Sequence, residues 1–575
     1  FSGKQRHVST FQTPSELRDT ITKPTVDDQL FLRPVTKTEV EQAIKKIRTK
    51  TSAGMDGITA RMVKEFGINM KTQIAKSITR ILHGEAVPTE MKVGYVTLIP
   101  KLKDGPELEK LKCENQRPIT VLPIMYRLIS IIIKQRMVEV INTHQMISNN
   151  QRGFRPNART TEIVQTILNL KEKSNRDKKT LYVCLVDMTD AYGSIEYRIL
   201  KPIMEQMGFA KTMVKTVMEL MEGHTIHVKT HYGLTRGIKI KKGAPQGDPI
   251  SPLIYNIYSE PIMRTIERKQ IGFQMDSKTV NIKAYADDNT LIASTKEDME
   301  ELLETFTNVA NLLNLKINTK KSITTGVQYI NGRKTDITPL EYSGGEIKAL
   351  NMKEDLKLLG FTLNMGKSQK GANQNLLRSI GEKLNKLRVK GLKPSHAINV
   401  INSVVNGTVR YYCAMNQITK HTAGKIDIAI RNKLKEALYL HARTPTQCFY
   451  LPKDQGGLGL MKTIEIIRTQ EAQNLLHLLN EGTEECAQQL LRSVKRNNKK
   501  ITAQFQQTIS ELSEVGIVLA KEGKQLTRKL KPMNVTSHWN IGKLQWNGTT
   551  PRYLYTDASF DRKKRNGGGG IVLTD

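Results

Sequence analysis

Two adjacent carboxylates at the tip of a short hairpin constrain this chain more than any other feature. Around Ala284-Tyr285-Ala286-Asp287-Asp288, the apolar residues Val280, Ile282 and Ala284 alternate before the acids, and Leu291 and Ala293 after them. This is the period-two pattern of two strands joined by a tight turn. Neighbouring acids repel, so such a pair stands either on a solvated turn or where a divalent cation neutralises it. A second segment bears on the choice. Residues 180–187 (TLYVCLVD) form a β-rich apolar run ending on an acid, the form of a buried strand that delivers a carboxylate at its tip. Asp187 is therefore the third acid of interest. It lies too far from Asp287 in the chain for periodicity to say whether they meet.

Charge narrows the partner. Lys plus Arg number 89 against 55 Asp plus Glu, a net charge of +34. An excess of this size points to a polyanion. No apolar run approaches the ~18 residues of a spanning helix, and the first residues lack the apolar core of a signal peptide. Nucleic acid is therefore favoured over a membrane surface. The five cysteines, Cys113, Cys184, Cys413, Cys448 and Cys486, lie far apart with no C-x-x-C and no histidine at zinc spacing. They are expected to be free, reduced thiols. At 575 residues, and ~100 to 200 residues per domain, three or four domains are expected. The chain opens on Phe1, which suggests a fragment or a processed product.

Local patterns place the remaining elements. Thr36 and Glu39 make a capping box ahead of Val40, Ala43, Ile44 and Ile47 at helical spacing. A strand is expected over 96–100, a turn over 101–105, a mostly buried helix over about 121–133 and a charged loop over 171–179. Helices run to about residue 222, followed by strands near 225–229 and 237–242. Ser294 and Glu297 read as a second capping box. Met299, Leu302, Leu303, Phe306, Val309, Ala310 and Leu313 then fall on one helical face that should cover a sheet. Residues 370–450 read as helical and basic. A further basic helical region carries Lys495, Arg496, Lys499 and Lys500, and a less regular stretch follows over 523–548. Residues 553–559 and 571–573 look like two strands around the glycine turn at 567–570.

In order along the chain stand VTLIPK (96–101), QRPIT (116–120), QRGFRPNARTT (151–161), DMTDAYGSI (187–195), GAPQGDPISPLIYN (243–256), AYADD (284–288), LKINTKKS (315–322) and KLLGFTL (357–363). This series resembles the consecutive motifs of reverse transcriptases, most nearly those of non-LTR, LINE-type retrotransposons. Leu451-Pro452 with residues 456–460 (GGLGL) is similar to a motif downstream of the thumb in that group. Group II intron maturases and telomerase are related alternatives, less similar in the loop at 243–256.

The resemblance implies an α+β, right-hand polymerase fold of fingers, palm and helical thumb, with a helical connection and the truncated start of an RNase H-like segment. Its divisions would be a leader over 1–35, fingers with the start of the palm over 36–179, palm over 180–365 and thumb over 366–460. A basic helical connection over 461–550 and an RNase H-like hairpin over 551–575 would follow. The implied activity is RNA-directed DNA synthesis from dNTPs on an RNA template and a DNA primer or target, in target-primed reverse transcription. Asp187 and Asp287 would jointly hold two Mg²⁺ ions, with Asp288 beside them and Mn²⁺ as a substitute. Two metals stabilise both the attacking and the leaving oxygen of phosphoryl transfer, and hard oxygen ligands suit them.

Other roles carry over residue by residue. Tyr192 matches the aromatic that excludes a ribose 2′-hydroxyl, or is a packed core tyrosine. Many LINE-type enzymes have Ala-Phe-Asp where this chain has Ala191-Tyr192-Gly193, with an acid earlier at Asp190. Gln246 and Gly247, after Gly243, match the loop beside the nascent base pair, or a plain turn. Lys101 and Arg117 match basic positions that hold the triphosphate, or are solvated charges. Lys321 matches a lysine that protonates the departing pyrophosphate, with Lys320 as a register alternative. Arg155, Lys383, Lys386, Arg388 and Lys390 are expected to grip nucleic acid through phosphates. Asp557 would be the first RNase H-like acid, but this chain as given should not cut RNA in a hybrid. A decayed copy acting only as an RNA-binding protein and an RNA polymerase of the same architecture are the other readings. The expected location is intracellular, the nucleus with a cytoplasmic ribonucleoprotein stage.

Overall fold

The structure is a computed structural model. It describes residues 18, 20–101, 112, 115–275, 278–366, 370–387, 392–413 and 418–480, and the strands at 517–518, 541–546, 552–555 and 572–574. It divides into two compact units, one of residues 1–156 and 173–351, the other of residues 157–172 and 352–575.

The first unit is built around the apolar run that ends on Asp187. Leu181–Val186 is the middle strand of a five-stranded antiparallel sheet and is buried on both faces. Asp288–Ala293 pairs on one side of it and Ile323–Ile330 on the other. Ile282–Tyr285 and Arg333–Thr335 form the two edges. Helix Lys296–Leu312 buries Met299, Leu302, Leu303, Phe306, Val309 and Ala310, the face expected to cover a sheet. A neighbouring helix, Ser251–Arg268, is buried along almost its whole first half. A second sheet holds Gln116–Val121, Val93–Pro100, Thr225–Thr230 and two short strands, with Val93–Pro100 and Thr225–Thr230 parallel. Helix Lys37–Lys46 carries the expected reciprocal capping box at Thr36 and Glu39. Arg136, fully buried on helix Ile124–Thr143, donates to the carbonyls of Phe31 and Pro34 and to the Glu39 carboxylate. The residues before the first long helix are thereby tied into the core.

The second unit has its own apolar core. Leu376, Ile380, Ile398, Ile401, Ile426, Ile430 and Phe449 meet from helices Lys370–Lys386, Pro394–Ile401, Lys420–Ala437 and Gln447–Tyr450. Phe361, on a hairpin of Leu356–Leu358 and Phe361–Leu363, stacks on Tyr411 at 4.3 Å between ring centroids. The GGLGL element folds back on the preceding segment. The Leu458 and Leu460 amides donate to the carbonyls of Cys448 and Phe449, and a Cβ on Gly457 would stand 2.1 Å from the Leu451 carbonyl oxygen. Asp427 accepts from the Thr463 amide and hydroxyl, capping helix Thr463–Asn480 from another helix.

Several expectations are corrected. Residues 171–177 are not a loop but the last turns of helix Thr160–Asp177. The charged run is a solvated helical face, with Lys173 and Asp177 paired at 2.9 Å one turn apart. The buried helix starts at Ile124 rather than near Val121, which ends a strand. Pro123 at its N-cap sets the boundary. The second N-cap is Thr295, whose hydroxyl accepts from the Asp298 amide, while Ser294 donates to the Gly272 carbonyl. Within the expected helical connection and irregular stretch, Ile517–Val518 and Ile541–Trp546 are strands. Arg552–Tyr555 pairs with Val572–Thr574 as the two-strand reading required. Residues 102–105, Arg388, Lys390, Lys495, Arg496, Lys499, Lys500, Asp557 and 567–570 lie outside the described residues, as do Cys113 and Cys486. Cys184, Cys413 and Cys448 are free thiols. No helix among the described residues is long and apolar enough to cross a membrane.

Two glycines of similar chemistry should respond oppositely to a methyl group. A Cβ at Gly326, paired with Tyr182 in the middle of the first sheet, would meet the Leu181 carbonyl oxygen at 2.0 Å, whereas Gly381 in helix Lys370–Lys386 faces open space. Gly326→Ala should destabilise by about 1 to 3 kcal/mol or more through overpacking. Gly381→Ala should stabilise by roughly 0.5 to 1 kcal/mol through helix propensity. Melting temperatures of the two variants against wild type check both signs.

Candidate active site

The register of the first sheet brings the distant acids together. Asn289 pairs with Val186 and Thr290 with Leu185, so extending the ladder by one residue sets Asp288 opposite Asp187. Directly opposed residues on antiparallel strands share a face. Tyr285 pairs with Asp288, which leaves Ala286 and Asp287 as a two-residue loop. Ala286 is left-handed, with φ of 59°, so the loop turns within two residues and holds Asp287 at its tip.

Asp187 is locked from the other side. Its amide donates to the Ser322 hydroxyl at 3.1 Å, and its carbonyl accepts from the Asn318 amide at 2.8 Å. The Lys316–Ile317 strand pairs with Met188–Thr189. The 318–322 turn is thereby fixed beside the acid, and the charge of Lys321, not Lys320, is the one that reaches it.

The electrostatics match this convergence. Burial, then the charges of Asp287 and Asp187, push Asp288 up to about 6. Burial raises Asp187 as well, helped by Asp287 and opposed by Lys321 and Lys101. Tyr192 is half-buried, and its phenol is pushed up by burial and by the Asp287 charge. Its ring packs on Tyr255 of helix Ser251–Arg268 at 5.4 Å. Asp187, Asp287, Asp288, Tyr192, Lys101 and Lys321 thus form one electrostatic group.

Among the described residues, no three His, Cys, Asp or Glu side chains are gathered tightly enough to hold an ion by themselves. The donors are hard carboxylate oxygens whose mutual repulsion a cation would relieve. This fits Mg²⁺, which takes one or two carboxylates and completes its shell with water and substrate phosphates.

The loop after residue 242 borders this group and is pinned along its main chain. The amides of Gly243 and Ala244 donate to the carbonyls of Ile195 and Tyr192 at 2.7 and 2.9 Å, and the Thr120 amide donates to the Gln246 carbonyl at 2.7 Å. A Cβ on Gly247 would lie 2.4 Å from the Thr120 carbonyl oxygen. Beneath the loop, buried Asp248 accepts from the Ser130 hydroxyl, and the Tyr126 hydroxyl lies 3.1 Å from Asp248 Oδ2 and 2.8 Å from the Leu220 carbonyl. Tyr126 has one proton for these two acceptors. Burial pushes Asp248 up, and His224 Nε2, 2.8 Å from the same Leu220 carbonyl, can fill that acceptor while Tyr126 donates to Asp248. Gln246 lines a cleft with Pro118, Thr120, Gly193 and Lys242.

The other expected residues fall variously. Lys101 follows strand Val93–Pro100 and reaches Asp187 by its charge. Arg117 is exposed opposite Ile99 on the second sheet. Arg155 donates to the Ser148 carbonyl and the Asn149 side chain, bracing its own loop. Lys383 donates to the Thr408 hydroxyl at 2.6 Å, and Lys386 is exposed. Asp190, the displaced acid, is left-handed and folds over Gly193, where a Cβ would stand 2.2 Å from its Oδ2. A side chain at 193 would require the Asp190 carboxylate to move. Ser130, Tyr126, Asp248, Ser322 and Tyr255 escape sequence reading as site supports. Ser130 and Tyr126 are ordinary residues of a buried helix, whereas Asp248, Tyr255 and Ser322 stand inside the motifs at 243–256 and 315–322 with no role assigned to them.

Comparison with known proteins shows what the chain is similar to. The family described as reverse transcriptase (RNA-dependent DNA polymerase) matches residues 99–371, which include all three acids. The chain is 26% identical over 437 residues to the Retrovirus-related Pol polyprotein from type-1 retrotransposable element R2 of Popillia japonica, covering 74% of this chain and 58% of that protein. It is 24% identical over 429 residues to the counterpart from type-2 retrotransposable element R2DM of Drosophila melanogaster, covering 74% and 39%. With the RNA-directed DNA polymerase from mobile element jockey of Drosophila melanogaster it shares 23% over 299 residues, 51% and 32% of the two chains. It therefore spans between about a third and three fifths of the length of these curated relatives.

Asp288 provides a pH test. Its folded pKa of about 6 lies above the ordinary ~3.9, so the protonated form favours the fold. That contribution is fully present below about pH 4 and is lost as the pH rises through about 6. In metal-free protein, Asp288→Asn should match wild type near pH 4 and melt at a higher temperature than wild type above pH 6. Mg²⁺ should raise the wild-type melting temperature more at pH 7.5 than at pH 5. A variant-to-wild-type difference that stays flat across this range would remove the carboxylate repulsion.

Proposed function

Residues 99–371 belong to the reverse transcriptases of non-LTR retrotransposons, and from that premise we propose that the chain extends a DNA primer on an RNA template with dNTPs. The observation that carries this is the convergence of Asp187 with the Asp287-Asp288 hairpin on neighbouring strands of one sheet. Asp187 and Asp287, with Asp288 beside them, would hold two Mg²⁺ ions, for which Mn²⁺ could substitute. When bound, such ions supply charge stabilisation to in-line phosphoryl transfer.

The chain's own residues do the rest. Asp187 and Asp287 set the place where a primer 3′-hydroxyl and a triphosphate meet. Lys321, fixed beside Asp187 by the 318–322 turn, is positioned to give a proton to the departing pyrophosphate. Lys101, whose charge also reaches Asp187, holds triphosphate charge, with Arg117 on the neighbouring strand. Tyr192, backed by Tyr255, excludes a 2′-hydroxyl by its bulk. The pinned Gly243 to Gly247 loop presents Gln246 to the nascent pair, with Gly247 allowing close backbone approach.

The first unit would then hold fingers and palm, and the helical second unit the thumb, with the exposed Lys386 available to phosphates. Residues 224–247 carry five basic side chains and no acid, which supports a polyanion along this part of the fold. The pairing of Arg552–Tyr555 with Val572–Thr574 supports the start of an RNase H-like segment. Target-primed synthesis and a nuclear stage are part of the same proposal, which the likeness to retrotransposon polyproteins supports.

Primer extension tests the reading. Asp287→Asn should lower synthesis by at least about a hundredfold, as loss of a transition-state stabiliser does, while hybrid binding by filter retention stays near wild type. A wild type that binds hybrid and makes no DNA would support an RNA-binding protein instead. Tyr192→Ala should admit ribonucleotides, and unchanged discrimination in competition assays would withdraw the gate. Hybrid affinity should fall ~10³-fold or more between 50 and 200 mM salt if about six or more phosphates are contacted.

A further inference from the structure

Gln151 stands directly behind the acid hairpin and is almost completely buried, at 1% exposure. Its Oε1 accepts from the Ala286 amide at 2.8 Å and from the Gly153 amide at 2.8 Å, and its Nε2 donates to the Ala286 carbonyl at 3.0 Å. One side-chain amide therefore takes both polar groups of the residue that makes the turn. Ala286 is left-handed at φ 59°, a conformation disfavoured for any residue with a Cβ. It persists only where the surroundings dictate it.

The clamp is itself anchored. The Arg152 amide donates to the Ala284 carbonyl at 2.8 Å, and the Ala284 amide donates to the Asn150 carbonyl at 2.9 Å. Asn256, on helix Ser251–Arg268, donates to the Gly153 carbonyl at 2.8 Å, and Glu260 of the same helix accepts from the Ser148 amide at 2.8 Å. Gly153 admits no side chain, because a Cβ there would lie 2.1 Å from the Ala286 nitrogen.

We propose that Gln151 is a positioning residue for DNA synthesis: by holding the Ala286 peptide left-handed, it sets the carboxylate of Asp287 at the tip of the hairpin toward Asp187. The inference rests on the polymerase reading and adds to it a residue that touches no substrate. It also explains how alanine serves at a turn position where glycine is the usual solution. Glycine at 286 would adopt the same φ without help, so it should make the clamp dispensable.

The test uses the full chain in a four-way comparison of wild type, Gln151→Ala, Ala286→Gly and the double variant. Gln151→Ala should slow single-turnover primer extension at least tenfold, with dNTP KM and hybrid affinity within twofold of wild type. In metal-free protein, hydrogen exchange of the Ala286 amide should speed at least tenfold in Gln151→Ala. Adding Ala286→Gly should recover most of the rate while the amide stays unprotected. A side chain that merely fills the core would show no such rescue. A double variant no faster than Gln151→Ala, or a Gln151→Ala protein at the wild-type rate, overturns the proposal.

If Gln151→Ala does not fold, Gln151→Glu keeps the shape and loses the donation to the Ala286 carbonyl. The same rescue is expected there, and its absence overturns the inference. A wild type that makes no DNA sinks the polymerase reading and this inference with it. A wild type that polymerises without the rescue sinks only the inference.

Discussion

Val186 faces Asn289 on one side of the first sheet, and Leu185 faces Ile323 on the other. From these pairings the rest follows. A strand slipped by one residue would turn every side chain to the opposite face, exchanging the buried partners of Cys184 and Val186 and carrying Asp187 away from the hairpin. Burial on both faces of Leu181–Val186 makes such a slip expensive. The hydrophobic core therefore specifies where the acids stand.

That arrangement holds like charges where apolar packing would not choose them. Asp288 rises to about 6 because burial and two neighbouring carboxylates oppose its ionisation. Lys321 and Lys101 offset part of the repulsion at Asp187. The cost is met by hydrogen bonds behind the acids: Ser322 and Asn318 on the Asp187 backbone, and Gln151 on Ala286. Rigid support of this kind keeps the carboxylates in place, so little reorganisation would be required were a cation to bind. The same logic extends to the 243–247 loop, whose main chain is satisfied by Thr120, Tyr192 and Ile195 and whose base is a buried carboxyl network.

The nucleic-acid character of the chain rests on a different scale. An excess of 34 positive charges acts over the whole surface, and no single lysine carries it. Lys383 and Arg155 illustrate the point. Both belonged to the expected phosphate-binding set, and both donate to neighbouring protein groups. A long basic side chain serves packing and capping as readily as phosphate binding.

Much was legible in the sequence because local physics repeats. Alternation located the hairpin, the apolar run located the middle strand, and the capping box at Thr36 located a helix start. The acids of the candidate site stood out because carboxylates beside apolar runs are rare. Where local patterns were ambiguous, reading failed. The charged run at 171–177 lacks apolar periodicity yet continues a helix, and Ser294 and Thr295 offered two caps one residue apart. The residue sequence by itself determined most strands and helices of the first unit, which acids end them, and a charge balance that favours a polyanion, since these depend on spacing and composition. Only the tertiary structure decided that Asp187 stands opposite Asp288 across a ladder, that the charge of Lys321 reaches Asp187, and that a buried glutamine holds Ala286. Those contacts join residues far apart in the chain, and their geometry comes from strand register and core packing, which no local pattern encodes.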